Sequence, residues 1–275
     1  SNSAIEKFEL PGVKHIVAVA SGKGGVGKST VSVNLAVALA ASGKRVGLLD
    51  ADIYGPSQGA LLGIPAGTRP DVNNELLQPL MAHGVGCMSM GFVTSERTPA
   101  IWRGPMASGA LQQLLTQTNW GELDFLIVDM PPGTGDIQLT LAQKVPLAGA
   151  VIVTTPQDIA LLDARKGIEM FRKVAVPVIG IVENMSIHVC SNCGHEEAIF
   201  GHGGGKAVAG DYETELLGQL PLTLQLREQS DAGAPIVIAD PGAPTSVTIR
   251  EVAAKVQTFV EQNVTKAPVI NIFND

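Results

Sequence analysis

The stretch SGKGGVGKST (21–30) lies between a β-branched apolar run, KHIVAVA (14–20), and the amphipathic stretch STVSVNLAVALAASG (29–43). A glycine-rich turn that leads from a strand into a helix commits the chain to a βα unit, and βα units build parallel sheets. Two templates fit the turn. Gly22-x-Gly24-x-x-Gly27 satisfies the dinucleotide fingerprint, and Asp50, at the end of the second predicted strand, falls where a ribose-binding acid would sit. Gly22-x-x-x-x-Gly27-Lys28-Ser29 satisfies the P-loop. In the second case Gly22, Gly24, Gly25, Val26 and Gly27 wrap backbone N–H groups around phosphates. Lys28 then reaches the β and γ oxygens, Ser29 supplies a hydroxyl to Mg²⁺, and Thr30 lies at the α-phosphate. A dinucleotide site has no use for Lys28-Ser29, so the P-loop is the preferred reading.

The rest of the chain repeats the pattern. Candidate strands are RVGLLD (45–50), GVGCMSM (84–90), DFLIVDM (124–130), GAVIVTT (149–155) and VPVIGIVEN (176–184), with a shorter one at LLGQLP (216–221). Strands alternating with helical stretches predict an α/β fold, a mostly parallel sheet with helices on both faces. Gly43 is placed to end the first helix. There is no internal repeat and no linker-like shift in composition, so residues 1–275 are expected to form one domain. SNS at 1–3 reads as a tag remnant, and the segment from Gln262 to Asp275 as a peripheral extension.

The run DFLIVDMPPGTGD (124–136) supports a nucleotide site independently of the first loop. An apolar strand ending in Asp129 places a carboxylate near Mg²⁺ through water. The following PPGTG offers the Gly133 N–H as a γ-phosphate sensor. In LLDADIYGPS, Asp50 and Asp52 could orient the attacking water, support the metal or cap the next segment; spacing alone does not separate these roles.

Composition excludes several classes. Lys+Arg 19 against Asp+Glu 26 gives a net charge of −7 with no basic run, which argues against nucleic acid or an anionic membrane as main partner. The longest apolar runs, such as LAGAVIVTT (147–155), fall far short of a membrane span. Three cysteines make no disulfide framework and point to a reducing, cytoplasmic setting.

KGGVGKST also resembles the deviant Walker A of the MinD/ParA/nitrogenase-iron-protein ATPases, in which an additional lysine, here Lys23, is characteristic. The similarity continues through LLDADIYGPS, WRGPMASGAL, DMPPGTGDIQLTLAQ, TTPQDIALLDARKGI, VENMS and CSNCGH. Together these resemble the Mrp/ApbC iron–sulfur cluster carrier ATPases from about residue 12 to 240. The resemblance implies a homodimer in which Lys23 reaches the partner's nucleotide, Asp52 positions the hydrolytic water and Asn184 contacts adenine. It also implies slow ATP hydrolysis coupled to carriage, a cluster donor and apo iron–sulfur proteins as recipients. Many members carry a small N-terminal domain without counterpart here, so a shortened chain is expected. Arg103, in WRGPM, belongs to the family pattern without an evident role.

In HVCSNCGH (188–195), Cys190 and Cys193 form a single Cys-x-x-Cys pair. The segment follows a predicted parallel strand, so it belongs on the rim where the P-loop lies. A [4Fe–4S] cluster takes four thiolates, and a two-fold dimer would bring two from each copy. Zinc competes, because His188, Cys190, Cys193 and His195 have the residue types of a Cys₂His₂ site, although their spacing would crowd all four into one tight turn. Two other functions stay open: a positioning ATPase of the partition type with a structural zinc knuckle, and a reductase like the nitrogenase iron protein. The first lacks the expected basic tail, and the second uses ligand cysteines far apart in sequence.

Overall fold

Strands that are apolar on both faces can be stable only between two helical layers, and every residue of VGLLD and GAVIVT is buried here. The computed structural model describes residues 5–93 and 104–264. The N-terminal half runs β1 (Val13–Ala20), α1 (Lys28–Ala41), β2 (Val46–Asp50), α2 (Gln58–Leu61), β3 (Val72–Asn73), β4 (Leu76–Leu77), β5 (Leu80–Ala82), β6 (Val85–Ser89) and α3 (Met90–Val93). After it come α4 (Gly104–Thr116), β7 (Leu123–Asp129), α5 (Asp136–Lys144), β8 (Gly149–Thr154), α6 (Asp158–Lys173) and β9 (Val178–Glu183). The chain then forms β10 (His188–Val189), β11 (Glu196–Glu197), α7 (Gly204–Asp211), β12 (Glu215–Gln219), α8 (Leu224–Asp231), α9 (Ile236–Ala239) and α10 (Pro244–Val264).

The main sheet has eight strands in the order β12-β9-β8-β1-β7-β2-β6-β5. All neighbours are parallel except β5, which pairs antiparallel with β6 at one edge. All seven strands expected from the sequence are present, with ends shifted by a residue or two. The additional strands are the three-residue β5 and the hairpins β3/β4 and β10/β11, too short to carry a period-2 signal. At the other edge the Lys255 ammonium donates to the Leu217 carbonyl of β12 at 3.1 Å.

Right-handed crossovers put α1 on one face of the sheet and α4, α5, α6 and α7 on the other. The helix α1 is built from small apolar residues and is buried almost throughout, covered on its outer side by α9 and α10. It ends as expected at Gly43, whose φ of 94° lets Gly43 N–H donate to Ala40 and Lys44 N–H to Leu39. The segment expected as an extension from Gln262 begins as the last turn of α10. The register sets the site: Asp50, Asp129 and Val19 are lateral neighbours at the carboxyl ends of β2, β7 and β1.

Candidate functional site

The loop after β1 is shaped by what presses on it. A Cβ on Gly22 would lie 1.9 Å from the Asp163 carbonyl oxygen of α6, so only glycine permits that packing. Gly27 has φ of 80°, and a Cβ there would stand 2.2 Å from Asn184 Nδ2. Gly24 and Gly25 face open space, leaving their backbone accessible to a ligand. The following helix α1 starts with no side-chain cap and no acidic residue in its first turn. Its first N–H groups and positive dipole end therefore face a cleft of about 250 Å³. Gly24 to Thr30 line that cleft together with Asp52 and Pro132.

Asp129 organises the floor. Its Oδ1 accepts from the Lys28 ammonium and from Ser32 Oγ at 3.1 Å. Its Oδ2 accepts from Ser29 Oγ at 2.8 Å and from Gln58 Nε2 at 2.7 Å. Asp129 and Gln58 are fully buried, Lys28 nearly so. Gln58 also donates to the Ser29 carbonyl at 3.0 Å, which fixes its amide orientation and leaves Oε1 buried and without a partner among the described residues. No sequence motif singles out Gln58.

The two aspartates after β2 have separated positions. Asp50 is fully buried; Oδ2 accepts from the amides of Ser57 (2.9 Å) and Gln58 (3.1 Å) and from Ser89 Oγ (3.2 Å), while Oδ1 accepts from Asp52 N–H (3.1 Å). Burial, then the neighbouring Asp129 carboxylate, push its pKa up to about 7. It caps the turn into α2. Asp52 instead lines the cleft, among the described residues accepts only from the backbone at its carboxylate, and is also raised by partial burial.

These groups suit a nucleotide and Mg²⁺. Ser29, Asp52 and Asp129 offer hard oxygen donors, and among the described residues no cluster of three or more His, Cys, Asp or Glu forms a self-sufficient metal cage. Mg²⁺ is commonly held in this way, by few protein oxygens with phosphate and water completing the shell. Asn184, at the end of β9, donates from Nδ2 to the Val26 carbonyl at 3.0 Å, and its buried Oδ1 has no partner among the described residues. The Lys23 side chain forms no bond with the described residues, while its carbonyl accepts from Ser21 Oγ at 2.7 Å. The Gly133 N–H donates to the Ser21 carbonyl at 2.9 Å, so a γ-phosphate can reach it only when that bond opens. Arg103 lies outside the described residues.

The strand β9 also leads to the thiols. A two-rung hairpin pairs His188 with Glu197 and Val189 with Glu196, and holds Cys190 and Cys193 in its turn. Cys190 N–H donates to the His195 carbonyl and Gly194 N–H to the Cys190 carbonyl, both at 2.9 Å, with Gly194 at φ of 73°. Backbone N–H groups of Cys193 and Asn192, with the Cys193 thiol, lower the Cys190 pKa. Both cysteines are free, one half-buried and one exposed. The four residues His188, Cys190, Cys193 and His195 do not gather into a Cys₂His₂ cluster. Cys87 is a buried core residue.

Comparison with known proteins agrees with this geometry. Residues 12–257 match the family described as ParA: NUBPL iron-transfer P-loop NTPase. An iron–sulfur cluster carrier protein of Pseudomonas fragi is 64% identical over 249 residues, covering 89% of this chain and 87% of that protein. The iron–sulfur cluster transfer protein NUBPL of Mus musculus is 51% identical, covering 90% of this chain and 78% of its own length. Among solved structures, an Archaeoglobus fulgidus nucleotide-binding protein in complex with ADP aligns with TM-score 0.71 at 40% identity, over 80% of this chain and 87% of that one. The cell division ATPase MinD of Pyrococcus furiosus shares the fold at TM-score 0.64 and 21% identity, over 89% and 98% of the two chains. The residues that shape the loop, the match over 12–257 and these relatives lead to one conclusion: the chain belongs to the ParA/NUBPL family of iron-transfer P-loop NTPases.

Proposed function

We propose that this chain is an ATP-hydrolysing carrier that holds a [4Fe–4S] cluster between two copies of itself and passes it to apo-proteins. One observation carries the reading: each chain presents two thiols, in a hairpin that continues from the sheet rim holding the nucleotide loop. Two thiols are half of what a [4Fe–4S] cluster takes, and a two-fold axis supplies the other half. The names carried by the relatives support the cargo.

In this mechanism the loop amides and Lys28 bind the phosphates, with Lys28 leaving Asp129 to do so. Ser29 and Asp129 would hold Mg²⁺, whose chemistry there would be to supply positive charge to the bound phosphates. Asp52, the carboxylate facing the cleft, orients the water that attacks the γ-phosphorus as the bond to ADP breaks. Asn184 offers Oδ1 to the amino group of adenine, and Lys23 extends to the nucleotide of the second copy. Gly133 exchanges its Ser21 partner for the γ-phosphate and so reports which nucleotide is bound.

The deciding experiment is anaerobic reconstitution with iron and sulfide, with metal analysis and visible spectroscopy, on the wild type and the Cys190→Ala/Cys193→Ala double variant. About four irons per dimer with a broad charge-transfer band, absent in the double variant, is the expected result. Stoichiometric zinc with no stable iron–sulfur species would make the hairpin a structural knuckle on a positioning ATPase.

A further inference from the structure

The motif VENMS (182–186) has one residue, Asn184, accounted for by the nucleotide site; its neighbour Glu183 is not. The Glu183 side chain is 1% exposed and forms no ion pair with the described residues. Burying a carboxylate is costly unless its oxygens are satisfied, and this one takes three neutral donors from three different segments. Oε2 accepts Gly205 N–H, in the first turn of α7, at 2.7 Å. Oε1 accepts the Ser186 hydroxyl and Gln219 Nε2 of β12, the latter at 3.2 Å. Gly205 is required for this approach, because a Cβ there would lie 2.5 Å from Oε2.

Consecutive residues therefore hold two different parts of the molecule. Asn184 binds the nucleotide loop through Val26, and its own N–H donates to Thr154. Glu183 and Ser186 close a bond across Met185, a non-glycine residue forced to φ of 56°. Ser186 N–H donates to Leu220 and Leu222 N–H to Ile187, so the base of the cysteine hairpin is laid down directly from this turn. His188 begins that hairpin two residues later.

We propose that Glu183 is a positioning residue that fixes the cysteine hairpin to the nucleotide loop, so that a nucleotide contacting Asn184 changes how Cys190 and Cys193 are presented. The inference rests on the reading that the P-loop takes ATP, but it does not require the cluster. A nucleotide engaging Asn184 Oδ1 shifts the side chain whose Nδ2 holds Val26 and so pulls on the strained turn at Met185, and the Glu183–Ser186 bond passes that displacement to the hairpin.

The test measures alkylation of Cys190 and Cys193 by iodoacetamide, read by mass spectrometry, with and without Mg²⁺ and a non-hydrolysable ATP analogue. Nucleotide affinity is measured separately by calorimetry. The wild type is expected to change its alkylation rate by about fivefold or more on binding nucleotide, the usual scale of coupling between sites. Ser186→Ala removes one small hydroxyl and should bring that ratio toward unity while nucleotide affinity stays within about twofold. Glu183→Ala should do the same, and Glu183→Gln should restore the response, because a carboxamide can still serve Gly205 and Ser186. A wild type that binds nucleotide without altering its thiols overturns the proposal alone. A Ser186→Ala variant with the full wild-type ratio does so too, even if Glu183→Ala does not fold. A wild type that binds no nucleotide removes the functional reading beneath it as well.

Discussion

Lys28 and Asp129, 101 positions apart in the sequence, form an ion pair at the floor of the nucleotide loop, with side chains 5% and 0% exposed. The loop lysine is thus held by the protein's own carboxylate at the place where a phosphate must compete for it.

Lys28→Ala leaves Asp129 buried without its cation, although Ser29, Ser32 and Gln58 still donate to it. The expected loss is about 3 kcal/mol of folding stability, at the lower end for breaking such a pair. Urea denaturation measures it, and calorimetry should show ATP binding abolished.

Asp50 gives the stability a pH dependence of defined sign. Its folded pKa of about 7 lies above the ordinary 3.8, so in between the folded state holds a proton that the unfolded chain has released. Stability therefore falls as pH rises from about 4 to about 7, by on the order of a few kcal/mol from this group. Asp50→Asn should flatten that slope relative to the wild type in a series of denaturation midpoints. An unchanged slope would show that the carboxylate ionises normally in its cage.

Asn184→Ala removes the bond to Val26 and the free Oδ1 beside Gly27. Nucleotide affinity should weaken by about tenfold, with reduced preference for adenine over guanine nucleotides. Equal loss for both bases would move the contact away from the base.

The two hairpin thiols and the core thiol should separate on alkylation. Cys190, its pKa lowered by the N–H groups of Cys193 and Asn192, should show a reaction midpoint at lower pH than an unstructured cysteine. Burial pushes Cys87 well up, so it should resist reagent until the protein unfolds. Mass spectrometry across a pH series distinguishes them.

The parts of this molecule that were legible in the sequence are those with a fixed spacing or a period. The loop 22–29, the strand ending in Asp129 and the Cys-x-x-Cys pair announce themselves because a short contiguous segment carries the whole chemistry. Six of the seven longer strands are legible because burial demands apolar runs, while the edge strand β12, exposed at both ends, shows only as a short apolar stretch. Gln58 was not, since its bond to Asp129 spans 71 positions and any polar residue can end a turn. Nor were the separate places of Asp50 and Asp52, which differ only in which way two neighbouring side chains leave the end of β2. The partners of Glu183 were hidden for the same reason: they come from α7, β12 and a turn, and only the closed sheet assembles them.

The Lys255 contact on β12 bears on self-association. A parallel sheet with an open border offers a row of peptide groups that another copy could extend into a fibre. Here the ammonium occupies the Leu217 carbonyl on one border, and the opposite border is β5, three residues long. Among the described residues, both features oppose growth of the sheet along its hydrogen-bonding direction.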